Sequence, residues 1–334
     1  MASTYLERYQ AGEHEQVWLD LIALGAAVRG PAVHDDALAV ARETMRRART
    51  NIETLISRLH TLGYQFETTE RQTQQSADRL ASVTRQMETL RTAVRGPMAD
   101  KLKGLFDLVS TLQQKTHVSP KAPATSSGIH PLEDAAVYGR AAADADREIA
   151  DVERRLGGPL PLSLRAWYEA IDQVSFLGSH PILNPVGTPR TPVMQIHPDM
   201  LKGPGAERRR ALADVLGVGV TFDGATSALD EAALPDPLVI APLEEVIGEH
   251  QEGEPADTFM IAPDDLHKAQ ISGDVYYVDL PDTNADVIFQ DWKREYFVAY
   301  LRRVFAWGGF PGWARHQNPP LALIQELTRE LLLM

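Results

Sequence analysis

Cysteine is absent from the 334-residue chain, and several kinds of chemistry are absent with it. Without thiols there is no disulfide, no thiolate zinc site and no cysteine nucleophile, and this composition suits a reducing compartment. Apolar runs are also short, since none approaches the roughly 20 residues that a membrane-spanning helix needs. The opening residues MASTYLERYQ lack the basic region and apolar stretch of a signal peptide. We therefore expect a soluble, cytoplasmic protein that does not bind membranes.

Motifs of phosphate binding and nucleophilic catalysis are missing as well. Two glycines and two prolines stand close together between segments of helical spacing: Gly157, Gly158, Pro159 and Pro161. The prolines remove backbone N–H groups that a phosphate loop needs, and no Gly-Lys-Ser/Thr follows. Ser163 lacks the Gly-x-Ser-x-Gly frame of a nucleophile elbow. We interpret the stretch as a corner in which Gly157 ends one helix and Ser163 caps the next.

Metal and cofactor sites have little support in the sequence. No two of the ten histidines stand three or four residues apart, the spacing that places two ligands on one helix face. Segment 248–254, GEHQEGE, combines three carboxylates with a histidine; a solvated acidic loop is one interpretation and metal binding is the other. We predict no catalytic residue, no metal and no cofactor, and an enzyme of unrecognised type is kept as a further hypothesis.

Helical periodicity dominates the first 116 residues. Apolar residues alternate in steps of three and four along one long seam: Met45, Ala48, Ile52, Leu55, Leu59 and Leu62. Asp35 or Asp36 can cap the start of this helix, and Gly63 follows its end. Further seams at 80–94 and 102–112 predict an all-α helical bundle or hairpin over residues 1–116. The same seams would permit a homodimer through this domain.

A mixed pattern follows residues 117–131, a stretch rich in Pro, Ser and Ala that we interpret as a linker. The predicted helices here are 132–156, the segment carrying Leu164, Trp167, Tyr168 and Ile171, 296–305 and 321–334. Short β-branched or aromatic runs predict strands at 237–241, 258–262, 275–280 and 286–289. The predicted fold class is α+β, with a helical domain followed by a domain over 132–334 that has a mostly antiparallel sheet flanked by helices.

One aromatic segment, 307–313 or WGGFPGW, stands out near the end of this pattern. Aromatic side chains among glycines can form an exposed interaction surface, because aromatics dominate binding hot spots. The interpretation that we favour is a segment that folds back over the core after the preceding helix.

Charge is unevenly distributed along the chain. Residues 1–116 hold 15 Lys or Arg and 14 Asp or Glu, whereas residues 117–334 hold 18 basic and 32 acidic residues. A part with a net charge of -14 repels nucleic acids and anionic membranes and attracts basic proteins. Solubility alone also explains an acidic excess. The charge favours a basic protein as the partner, with no nucleic acid and no membrane.

The run 151–168, DVERRLGGPLPLSLRAWY, resembles the opening signature of the SMI1/KNR4, or SUKH, superfamily. That signature is an acidic amphipathic helix, Leu-Gly, Leu-Pro and a helix with an aromatic pair. The residues that carry it here are Gly157, Leu160, Pro161, Leu164, Trp167 and Tyr168. Later segments stand in the family's order: 260–265, 275–279, 287–289 and 296–301. A long insertion at 181–235 and the segment 266–272, which replaces a Gly-rich turn, depart from the family pattern.

The resemblance implies a SUKH-like domain over 132–334 and a function in protein binding. Many members are bacterial immunity proteins that neutralise a toxin by direct binding, so the implied partner is a basic toxin domain and the implied role is non-enzymatic. Candidate partner-binding residues are Asp264, Asp265, Asp291, Trp292 and Glu295. Regulatory scaffolds in the same superfamily supply the alternative, a protein that oligomerises through its helical domain and recruits client proteins.

Overall fold

The structure is a computed structural model, and it describes residues 3–71, 73, 129–141, 143–185, 234–243, 258–263, 268, 275–279, 283–290 and 293–334. The helices predicted at 80–94 and 102–112, most of the predicted linker and most of the insertion at 181–235 lie outside these residues. In the described part, no helix combines the length and the apolar character that crossing a membrane requires.

The described residues contain α-helices, short 3₁₀ helices and antiparallel strands, which confirms the predicted α+β class. The helices are α1 (Tyr5–Gln10), α2 (His14–Ala23), α3 (His34–Thr61), α4 (Ala145–Leu156), α5 (Leu162–Ala170), α6 (Phe297–Ala306) and α7 (Leu321–Thr328). The 3₁₀ helices are Gly25–Arg29, Pro131–Glu133 and Pro311–Arg315. The strands are β1 (Gln65–Phe66), β2 (Tyr138–Arg140), β3 (Ile171–Ser175), β4 (Gly178–Ser179), β5 (Val239–Ile240), β6 (Thr258–Pro263), β7 (Val275–Asp279), β8 (Ile288–Gln290) and β9 (Arg294–Tyr296).

Helix α3 carries the apolar seam that the sequence predicts, and the predicted residues Met45 to Leu59 are buried. Gly63 follows the helix with φ +82°, a left-handed conformation that glycine adopts without steric cost. The predicted cap is wrong, because Val33 precedes the helix and makes no side-chain cap. The Asp36 carboxylate instead accepts hydrogen bonds from the backbone N–H groups of Tyr5 (2.6 Å) and Leu6 (3.2 Å). These groups have no intrahelical acceptor at the start of α1, so Asp36 ties α1 to α3.

The corner between α4 and α5 has the predicted C-terminal cap. Gly157 has φ +74° and its N–H donates to the carbonyl of Arg154, while the N–H of Gly158 donates to Glu153 (3.1 Å). The predicted role of Ser163 is wrong, because α5 starts at Leu162, two residues earlier than a cap at Ser163 requires, and Pro161 is its N-cap residue. Ser163 therefore lies inside the first turn, where it is fully buried.

The strands pair only in antiparallel fashion in the described part of the chain. Strands β2, β3 and β5 form one three-stranded sheet, and β1–β4, β6–β7 and β8–β9 are two-stranded. The N–H of Ala241 donates to the carbonyl of Ile261 (2.9 Å), so β5 and β6 are neighbours as well. Two predicted helical segments are corrected here, since 138–140 is strand β2 and Ile171 begins strand β3.

The first 68 residues, which belong to the predicted domain 1–116, group with parts of the predicted domain 132–334. One compact unit comprises Met1–Thr68, Pro131–Thr188 and Leu229–Met334, and its core contains Ile52 of α3, Trp167 of α5 and Tyr300 of α6. Helix α3 packs directly on α5. A helical seam reveals that one face is buried but not which element buries it, and this is why the sequence suggested a separate bundle. The second unit, Thr69–His130 with Pro189–Ala228, lies almost wholly outside the described residues.

Candidate functional site

Of the five predicted partner-binding residues, only Glu295 lies in the described part; Asp264, Asp265, Asp291 and Trp292 lie outside it. Glu295 is on β9, and its side chain is 8% exposed. Its carboxylate lies 2.6 Å from the Arg303 guanidinium and 3.0 Å from the Lys293 ammonium. The charge of Glu295 is thus balanced by two cations inside the fold, and its role in partner binding stays a prediction.

The signature residues other than Gly157 are buried in the core. Leu160, Leu164, Trp167 and Tyr168 are buried, as their helical spacing predicted for the aromatic pair. The Trp167 ring meets Phe297 of α6 edge to face at 5.5 Å. The Tyr168 hydroxyl donates to the carbonyl of Ala241 (3.2 Å), and burial raises the pKa of Tyr168 far above its usual range. The signature therefore positions α5 between α6 and the sheet.

The segment 307–313 folds back over the core, which is the interpretation favoured from the sequence. Phe310 is fully buried, and the Trp313 indole N–H donates to the carbonyl of Leu183 (3.1 Å). A Cβ on Gly309 would lie 2.5 Å from the Phe176 ring, and one on Gly312 would lie 2.2 Å from the carbonyl oxygen of Leu234. The glycines are thus required for close packing, not for an exposed surface.

Two buried carboxylates went unnoticed in the sequence, and both have structural partners. Asp286 accepts the N–H groups of Val287 (2.9 Å) and Val298 (3.0 Å), so it caps the first turn of α6 from another segment. Burial raises the pKa of Asp286 to about 6, against the opposing effect of the nearby Ser163 hydroxyl and the two N–H groups. Asp236 has φ +46°, and its carboxylate binds the Lys268 ammonium at 2.6 Å, with both side chains buried. Neither has a local sequence signal, because Val298 is twelve residues from Asp286 and Lys268 is 32 residues from Asp236.

A third internal network surrounds Arg165 of α5. Its guanidinium lies 3.0 Å from Glu169 and 3.2 Å from Glu153 of α4, and Arg42 of α3 binds Glu169 at 2.6 Å. These ion pairs join three helices, and the same carboxylates are unavailable to a partner. Within the described ranges, no three His, Asp or Glu side chains cluster in a way that could hold a metal ion. The candidate metal segment 248–254 lies outside those ranges.

A strongly acidic segment without any basic residue connects two neighbouring strands. Residues 244–257 contain six Asp or Glu and no Lys or Arg. In the sequence they lie between β5 and β6, and the Ala241–Ile261 hydrogen bond holds these two strands side by side. The residues of this segment lie outside the described part of the chain, between two strands that are neighbours in the fold.

A second distinctive surface is a groove of α3 that holds residues 329–334, here called the strap. The Asn51 side chain donates to the carbonyl of Leu332 (2.9 Å) and accepts the N–H of the same residue (2.7 Å). Arg47 donates to the carbonyl of Leu333 (3.0 Å). Asn51 therefore binds the main chain of the strap in both directions, in a way that does not depend on the strap's side chains.

Further cations hold both ends of the strap. Arg302 of α6 donates to a main-chain oxygen of Met334 (2.6 Å), and Arg58 donates to the carbonyl of Arg329 (2.5 Å). Met334 is 6% exposed and Leu331 packs partly against the core, whereas Leu333 is 76% exposed. The groove thus takes a peptide main chain together with an apolar side chain at its first and fourth positions, counted from Leu331.

Comparison with known proteins adds no relative to these observations. The chain matches no protein-family model, no curated protein and no solved structure. The resemblance to the SUKH superfamily consequently rests on the residues of the chain itself, and it stays a prediction.

Proposed function

We propose that this chain is a non-enzymatic protein-binding module that binds a basic partner, and that it acts as an immunity protein that neutralises a toxin by direct binding. The resemblance of residues 151–168 to the SUKH signature supplies the class of function. The observation that carries the proposal is the distribution of acidic residues between internal ion pairs and one acidic segment. The carboxylates of Glu153, Glu169 and Glu295 are neutralised within the fold, while six acidic residues are concentrated in 244–257.

The electrostatic reasoning is direct. A concentrated negative charge steers a cationic surface toward it and accelerates association, and the effect weakens as salt screens the charges. A toxin that acts on nucleic acid must itself present a basic groove, because phosphates dominate its substrate's charge. An acidic segment that connects two neighbouring strands is suited to cover such a groove.

The experiment is capture of partners on the full chain, elution in steps of rising salt and identification by mass spectrometry, followed by association kinetics with the recovered protein. We expect one basic partner that elutes only at high salt. The triple variant Glu249→Gln, Glu252→Gln and Glu254→Gln should slow association several-fold at low salt and flatten its salt dependence.

A matched control separates local charge from net charge. Asp144→Asn, Glu148→Gln and Asp151→Asn remove the same number of charges from the N-cap and the solvent side of α4. If this control slows association as much as the first triple variant does, general charge and not the β5–β6 connection drives binding. If no basic partner is captured, or if binding inhibits no activity of the captured partner, the proposed function itself is contradicted.

A further inference from the structure

The strap is bound by contacts that a second copy of the chain would reproduce. Asn51 and Arg47 bind only main-chain atoms of the strap, and Arg302 binds a main-chain oxygen at its end. The apolar anchors Leu331 and Met334 belong to the strap itself. An identical strap from a second molecule would therefore make every one of these contacts in the same groove.

The hinge between α7 and the strap is strained. Helix α7 ends at Thr328, and Glu330 follows with φ +60°, a left-handed conformation that disfavours any residue with a Cβ other than Asn or Asp. The strain exists because the chain must turn back onto α3 within two residues. Opening the hinge relieves it, and strained hinge loops are known to favour exchange of segments between protomers.

We propose that residues 329–334 exchange between two copies of this chain, so that each copy's strap occupies the α3 groove of the other in a homodimer. The gain is relief of strain at Glu330, since the contacts of the strap are the same in both arrangements. A six-residue strap reaches about 20 Å when extended, which limits the exchange to two copies whose α3 grooves face each other. The inference is independent of the charge-driven binding proposed above, because it uses neither 244–257 nor any partner protein.

Disulfide trapping tests the exchange directly, because the chain has no cysteine of its own. One full-length chain carries Asn51→Cys, and a second chain with a tag of different mass carries Leu332→Cys. The Asn51 side chain is hydrogen-bonded to the main chain of Leu332, so the two positions are adjacent when the strap occupies the groove. After incubation of the mixture at high concentration and mild oxidation, we expect a covalent heterodimer of the two chains.

The matched control replaces Leu332→Cys with Leu321→Cys, which is also exposed and apolar but lies at the start of α7 and not on the strap. A heterodimer yield no greater than that of the Leu321→Cys pair overturns the proposal. A single chain that carries both Asn51→Cys and Leu332→Cys gives a further comparison. If the disulfide forms only within that chain, and not between the two single variants, the proposal is overturned as well.

Hinge variants give a second test that leaves the groove intact. Glu330→Gly accepts the left-handed backbone and should lower the dimer fraction several-fold in light scattering. Glu330→Pro fixes φ near −65° and should raise it several-fold, since the closed hinge becomes incompatible with the residue. No backbone–backbone hydrogen bond of the described residues uses the N–H of Glu330, so proline removes no such bond. If neither variant changes the dimer fraction, or if the wild type and both variants are all monomeric, the exchange is contradicted.

Discussion

Asp286 links the stability of the fold to pH. Its pKa rises to about 6 because burial penalises the ionised form, so the folded chain holds this proton more tightly than the unfolded chain does. The free energy of unfolding should therefore fall as pH rises from about 4 to above 6, by an amount on the order of 2–3 kcal/mol. Asp286→Asn cannot ionise and should remove this fall.

The measurement is urea unfolding of both proteins between pH 4.5 and 7.5, read as the difference in free energy at each pH. The difference isolates Asp286 from His14, whose pKa is lowered mainly by burial and whose protonation destabilises the fold as pH falls. Asp144→Asn, which removes one exposed carboxylate just before α4, is the control. If the difference in free energy of unfolding between the wild type and Asp286→Asn does not change with pH, Asp286 is not the source of the pH dependence.

Trp167 contributes to the fold through packing rather than through hydrogen bonding. It is fully buried, and its indole N–H has no hydrogen-bond partner among the described residues. Trp167→Ala should lower the free energy of unfolding by about 3–5 kcal/mol. Trp167→Phe should cost clearly less, because the edge contact with Phe297 can persist and no hydrogen bond is lost. Equal losses in the two variants, measured by urea unfolding, would show that the indole N–H is essential.

At the scale of elements, the Arg165 network fixes α5 against α3 and α4. Arg165 is mostly shielded from solvent, as are its partners Glu153 and Glu169. Arg165→Gln leaves two shielded carboxylates with fewer cations, so we expect a loss of about 1–2 kcal/mol in the free energy of unfolding. Arg154→Gln breaks only an exposed pair with Asp151 and should change stability by less than about 0.5 kcal/mol. Urea unfolding in 0.1 M salt compares the two, and equal effects would refute the network's structural role.

At the scale of the whole molecule, the shared core predicts cooperative unfolding of α3 with the C-terminal part. Ile52 and Leu55 on α3 belong to the same core as Trp167 and Leu301. Hydrogen exchange of α3, α5 and α6 amides should consequently report one common free energy of opening. Exchange of α3 at a free energy lower by 2 kcal/mol or more would indicate that residues 3–68 form a separate folding unit after all.

Local patterns were determined by the sequence alone. The seam of α3, the left-handed glycines Gly63 and Gly157, the strand runs near 258–262 and 275–279, and helix α6 lie where spacing and punctuation predicted them. Each of these features depends on interactions within a few residues, so the neighbouring sequence is enough to predict it. The burial of Trp167 and Tyr168 follows from the same periodicity.

The tertiary structure decided which elements those patterns serve. Residues 138–140 form strand β2 because they pair with β3. The carboxylate of Glu295 forms an ion pair with Arg303 of the next helix. The strap lies on α3 through Asn51, 281 positions away from Leu332 along the chain. Such pairings depend on distance in space, which no local spacing encodes. The sequence thus determined where faces and turns occur, and only the fold decided what each face touches.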